Sequence, residues 1–224
     1  GLMFWRKVFA ITWKDLRSEF RAREIITSVL VFTMLVIVIF NFAFNSGAVS
    51  MRAVAPGMLW VTFAFAGVLS LNRTFVQEKE EGCLEGLLAC PVGRDVIYTG
   101  KMLSSLFFML VVEIIALPIF MVLFNLPVIT GQIITITLLA TFGFVTVGTL
   151  FSALAVNTKA RELVLPFLFL PVVVPVLIAA VNATGIALEG GTWAEMATWL
   201  QILGAFDAIF LVVSFLTFGF VIEE

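Results

Sequence analysis

Histidine is missing from this 224-residue chain, and cysteine occurs only twice, as Cys83 and Cys90. A zinc site draws about four ligands from His, Cys and carboxylates. Two thiols without a histidine do not make one, and they suit small buried side chains instead. Charge is scarce as well. Asp, Glu, Lys and Arg together make up 12% of the chain, about half their share in globular proteins. A phosphate-binding loop is also lacking: the one Gly-Lys pair, Gly100-Lys101, has Asp95 where the Walker pattern demands glycine. ATP would have to be bound by another chain.

What is abundant is apolar. Hydrophobic residues make up 62%, Phe alone occurs 24 times, and the mean hydropathy is +1.15. Such values belong to helical membrane proteins. Six runs reach the roughly 20 apolar residues that a membrane helix needs: 25–45, 54–72, 102–125, 131–156, 163–184 and 200–221. The first run follows a charged segment and is too long for a signal-peptide core, so no cleavable signal is expected. The expected fold is all-α and polytopic, one transmembrane domain over 1–224 with no internal repeat. Its longer connections fall at 73–101 and 185–199.

The net charge of −2 says little, because in a membrane protein the placement of charge decides more than its sum. With the N-terminus inside, twelve of the 13 Lys and Arg residues fall in inside segments, and only Arg52 lies outside. The positive-inside rule therefore puts both termini in the cytoplasm. Cys83 and Cys90 then lie where thiols stay reduced.

Residues 3–23 carry an amphipathic pattern. At about 100° per residue, Trp5, Val8, Phe9, Thr12, Trp13, Leu16 and Phe20 share one face, and Arg6, Lys7, Lys14, Arg17 and Arg21 cluster opposite. This predicts a helix in the inner interface, aromatics at headgroup depth and cations toward anionic lipid. It suits a plain anchor or an element that also grips a partner. Asp15 and Glu19 fall toward the apolar side and break the pattern.

Seven charged residues crowd into "EKEEGCLEGLLACPVGRD" (78–95). After Gly82, Leu84, Leu87 and Leu88 form an apolar ridge at helical spacing beside Glu85, and Pro91 ends the helix. A short helix with an apolar ridge and acidic shoulders suits docking into a partner's groove. It equally suits a loop helix packed on its own bundle.

That stretch, continued to "VIYTGK", resembles the coupling-helix segment of six-span ABC exporter permeases. The shared features are an acidic-basic run, a Gly, Leu-Glu-x-Leu-Leu, a Pro, and a Lys opening the third span. "APGMLWVTFAFAGVLSLNRTF" (55–75) and "RELVLPFLFLPVVVPVLIAAV" (161–181) are similar to the B-subunit permease of the haem exporter of cytochrome c maturation, the CcmB family. So are "MFWRKVFAITWKDLR" and "FDAIFLVVSFLTFGFVIEE". The resemblance implies a non-catalytic membrane subunit, multi-pass in the bacterial inner membrane. It would work with a cytoplasmic ABC ATPase that meets Glu78, Glu81, Gly82, Leu84, Glu85, Leu87, Leu88 and Pro91. It further implies a haem-handling membrane partner, a second copy of the chain, or both, with ATP hydrolysis coupled to haem export or to release of a haem-loaded periplasmic chaperone. No nucleic-acid partner is expected. An exporter permease for another substrate, or an ATP-independent secondary transporter using intramembrane acids, are the alternatives.

No cofactor is expected on the chain itself. His, the commonest proximal haem ligand, is absent. The two cysteines and Tyr98 fall on the inner side, and the tryptophan-rich periplasmic loop of the family's haem-handling partner is missing. Haem would be held by that partner and ATP by the ATPase.

Two acids lie within spans, Glu113 in the third and Asp207 in the sixth. Intramembrane acids mark function by default, and an acid hydrogen-bonded to a neighbouring helix or subunit is the plain structural alternative. Pro166, Pro171 and Pro175 in the fifth span each remove a helical hydrogen bond, giving fixed kinks or a hinge. "TWAE" (192–195) predicts a capping box that starts a short outer helix through Trp199. Trp193 and Trp199 would mark the outer interface. "NATG" at 182 matches a glycosylation acceptor, a pattern common by chance.

Overall fold

The computed structural model describes residues 2–21, 23–44, 50–72, 93–156 and 165–221. Among the described residues the chain is helical apart from short turns. The helices are α1 (Leu2–Arg21), α2 (Arg23–Phe44), α3 (Met51–Leu71), α4 (Arg94–Phe124), α5 (Gly131–Val156), α6 (Leu170–Leu188) and α7 (Trp193–Val221). A five-residue π turn, Leu165–Phe169, leads into α6.

Six of these, α2 to α7, are long and apolar enough to cross a membrane. Each turns back on its predecessor, so one end of the bundle carries α1, Asn72, Gly93 and Val221. The far end carries Phe44, Ser50 and the short turns after α4 and α6. Helices α3 and α5 are the most buried and form the centre, while α2 and α7 are the most exposed. Exposed apolar side chains on the rim, such as Phe42, Val122, Val212 and Phe220, are what a lipid-facing surface requires.

The turns follow from residue chemistry. Asn125 ends α4 with φ 50° and Gly190 ends α6 with φ 83°, the left-handed conformation that Gly and Asn tolerate best. At the start of α7 the Thr192 backbone N–H donates to Glu195 Oε2 at 2.6 Å, half of the reciprocal pair of a capping box. The helix that starts there does not stop at Trp199. Nothing in "WAEMATWLQILG" breaks it, and it runs on to Val221. The connection expected over 185–199 therefore shrinks to the turn 189–192, held to α5 by the Gln132 amide donating to the Gly191 carbonyl at 2.9 Å.

Helix α4 also differs from its expected span. It begins at Arg94 rather than near 102 and has 31 residues, so it is about 46 Å long against a hydrocarbon core of about 30 Å. The helix is thus longer than the hydrocarbon is thick, and its first two turns, which hold Arg94, Asp95 and Lys101, receive α1.

In the core, α3, α4, α5, α6 and α7 share one apolar cluster that includes Leu59, Phe63, Phe120, Ile136, Val147, Val176 and Leu203. Phe144 of α5 meets Phe169 of the π turn edge to face at 4.8 Å. A second cluster, with Val8, Ile11, Val96, Ile97, Met102 and Phe218, joins α1, α4, α5 and α7 at the α1 end.

Candidate functional site

The coupling residues Glu78, Glu81, Gly82, Leu84, Glu85, Leu87, Leu88 and Pro91 lie outside the described residues. The frame around them is described. Asn72 closes α3 through its N–H to the Val68 carbonyl at 3.0 Å, and Gly93 precedes α4. A Cβ at Gly93 would collide with the Asp95 carboxylate, so glycine there lets Asp95 sit over the helix start, where its charge is favourable. Arg94 reaches across to α7 and donates to the Gly219 carbonyl at 3.0 Å.

Helix α1 crosses α4 within its first turns. A Cβ on Gly100 would sit 2.8 Å from a methyl of Ile11, so glycine permits the close approach. Thr12 Oγ1 lies 3.0 Å from the Val8 carbonyl and 3.2 Å from the Gly100 carbonyl. Beside it, Lys101 Nζ pairs with Asp15 Oδ2 at 3.0 Å, and Lys14 Nζ with Asp15 Oδ1 at 3.1 Å. Lys101 is 2% exposed and Asp15 is 7% exposed. A lysine is almost never this deeply buried without a partner, and Asp15 supplies the opposite charge.

The expected single apolar face of α1 is thus divided. Val8 is buried against α4 and Thr12 and Leu16 are half-buried, whereas Trp5, Phe9 and Trp13 stay exposed. Asp15, which had broken the amphipathic pattern, lies on the α4-facing side with Val8 and Ile11. The sequence reading missed this pair, and its signal was that misfit of Asp15.

Deeper in the bundle the polar side chains pair across helices. Trp60 Nε1 on α3 donates to Thr184 Oγ1 on α6 at 2.9 Å, and both are buried. Thr184 belongs to "NATG", which lies inside α6. Asn182 there gives its amide to the Ile178 carbonyl one turn back at 2.8 Å. The stretch is helix, not an acceptor loop.

Glu113 on α4 is buried, and Thr141 Oγ1 on α5 donates to its Oε1 at 2.5 Å. Its other oxygen has no partner among the described residues. It lines a small cleft with Trp60, Met109 and Phe144, which shares Trp60, Ala64 and Leu177 with an apolar groove between α3 and α6.

Asp207 on α7 packs against α5 at Gly143, where a Cβ would collide with its carboxyl. Neither carboxyl oxygen of Asp207 has a hydrogen-bond partner among the described residues of this chain. Gly143 supplies room but no side-chain donor, and Phe206 fills the other side of that space. The two acids thus flank α5, Glu113 at Thr141 and Asp207 at Gly143.

Pro166 falls in the π turn, and Pro171 and Pro175 lie on the exposed side of α6. Pro171 has no N–H to give to the Phe167 carbonyl, so α-helical bonding cannot run unbroken through this stretch, and the wider turn sits there. Among the described residues no group of three or more metal-ligating side chains occurs.

Comparison with known proteins agrees with this architecture. The family described as CcmB protein matches residues 6–223. A relative from Rhodobacter capsulatus, named heme exporter protein B, is 31% identical over 186 residues, covering 80% of this chain and 85% of the relative. Its namesake from Pseudomonas aeruginosa is 28% identical over 193 residues, 86% of each chain. The Escherichia coli K12 namesake is 30% identical over 103 residues, 46% of this chain and 45% of the relative. With six membrane-length helices and a match over nearly its whole length, this multi-pass membrane protein belongs to the CcmB family.

Proposed function

We propose that this chain is the membrane permease of a haem exporter in cytochrome c maturation, driven by a separate cytoplasmic ATPase subunit. The observation that carries this is the match of residues 6–223 to the CcmB family, together with relatives named heme exporter protein B over most of their length. Twelve of the 13 Lys and Arg residues favour the α1 end as the cytoplasmic one.

In this scheme the ATPase meets the segment around Glu78, Glu81, Gly82, Leu84, Glu85, Leu87, Leu88 and Pro91. Closure of the ATPase moves that segment, and the motion enters α4 at Arg94. Lys101 carries it to α1 through Asp15, and Arg94 to α7 through the Gly219 carbonyl. The helix itself runs the full depth of the bundle. The π turn with Pro166, ahead of Pro171 and Pro175, provides the place where α6 bends.

A chain without histidine suits a mechanical role, with haem held by a membrane partner and passed on to a periplasmic chaperone. Purifying the complex from its host through an affinity tag on this chain tests the assignment. The expected companions are a soluble subunit with a phosphate-binding loop and a histidine-bearing membrane protein. A chain that purifies alone and transports without ATP would refute it.

A further inference from the structure

We propose that the outward side of α1 is a binding surface for anionic lipid headgroups, seated on its aromatic stripe and fixed to the bundle through Asp15 and Lys101. Three stripes follow one another round this helix. Val8, Ile11 and Asp15 face α4 and are buried. Next come Trp5, Phe9 and Trp13, each four residues after the last and 52%, 67% and 70% exposed. Then come Arg6, Lys7, Lys14 and Arg17, all exposed.

Each stripe fits a different surrounding. Three large aromatics left open in water would form an apolar patch of the kind soluble surfaces avoid. At the boundary of a bilayer the same rings lie where aromatic residues are most stable. The cations, the next stripe round the helix, then face the phosphates.

The level of α1 agrees with this. It runs into α2, whose membrane-length stretch begins at Ile26. It also crosses α4 at Gly100 and Lys101, in the charged first turns of a helix longer than the hydrocarbon is thick. The exposed aromatics thus continue the lipid-facing surface of the bundle. A bilayer bearing negative headgroups supplies both the apolar layer and the charge. An acidic protein segment supplies only the charge.

The test uses the full chain in nanodiscs, with Cys83→Ser and Cys90→Ser. A nitroxide is placed through Phe9→Cys on the aromatic stripe or through Ala10→Cys on the cationic side. Oxygen, which concentrates in acyl chains, should relax the label at position 9 more strongly, and a water-soluble nickel chelate the label at position 10. With spin-labelled lipids in the same nanodiscs, phosphatidylglycerol should associate in preference to phosphatidylcholine. That preference should fall by up to about fivefold for each cation removed in Arg6→Gln, Lys7→Gln and Arg17→Gln. The proposal fails if position 9 is shielded from both reagents, which would place a protein there. It also fails if the nickel chelate reaches position 9 as readily as position 10, or if the triple variant keeps its phosphatidylglycerol preference.

Discussion

Lys101 and Asp15 form a 3.0 Å ion pair between α4 and α1 in a region that excludes water from both. Lys101→Met leaves Asp15 buried with only the half-exposed Lys14 beside it. This should destabilise the protein by about 3 kcal/mol. Asp15→Leu combined with Lys101→Met removes both charges and should recover most of that loss. Thermal unfolding in detergent micelles checks it. A double variant no more stable than Lys101→Met alone would show that the pair does not act as a unit.

Trp60 and Thr184 bring together two stretches that are far apart in the chain. Trp60→Phe and Thr184→Val should each cost about 1 kcal/mol through the lost hydrogen bond, with further loss at Trp60 from the smaller ring. The two effects should be less than additive, with a coupling of about 0.6–1.5 kcal/mol. Full additivity in a double-mutant unfolding cycle would count against the bond.

At the contact of α5 with α7, Gly143→Ala places a methyl against Asp207 and should destabilise by about 1–3 kcal/mol. Asp207→Ala opens the space that the methyl needs. The double variant should therefore be more stable than Gly143→Ala alone. A further loss in the double variant would mean that the steric clash is not what Gly143 avoids.

Glu113→Gln keeps an oxygen to accept the Thr141 proton and nearly the same volume. It should change stability by less than about 0.5 kcal/mol and leave maturation of c-type cytochromes intact. Glu113→Leu should cost more, because the Thr141 hydroxyl loses this partner. If Glu113→Gln folds normally and blocks maturation, the carboxyl group itself takes part in transport.

The six spans were legible because lipid demands long apolar runs, and the runs are there. Their ends were less so. Arg94, Asp95 and Lys101 look like loop residues by composition. They enter α4 because Gly93 frees its start, Gly219 accepts from Arg94, and Asp15 neutralises Lys101. Local periodicity cannot reveal a partner on another helix, so Asp15 read only as a flaw in α1. The start of α7 was legible in Thr192 and Glu195, whose contact is local. Its length was not, since Trp199 resembles an interface marker and yet the helix continues beneath it. Glu113 and Asp207 stood out as acids among apolar residues. The register that sets them against Thr141 and Gly143 is a tertiary fact. The coupling residues remain a reading of the sequence and of its resemblance to exporters.

Leu87→Asp tests the proposed coupling most directly. The substitution puts a carboxylate into the apolar ridge that the spacing of Leu84, Leu87 and Leu88 predicts, and burying it unpaired in a partner's groove should cost on the order of 2 kcal/mol or more. Membranes carrying this variant and the ATPase subunit should yield the permease, inserted at normal levels, with about thirtyfold weaker ATPase association on co-purification. Undiminished co-purification of the ATPase with the Leu87→Asp chain would contradict the proposed docking.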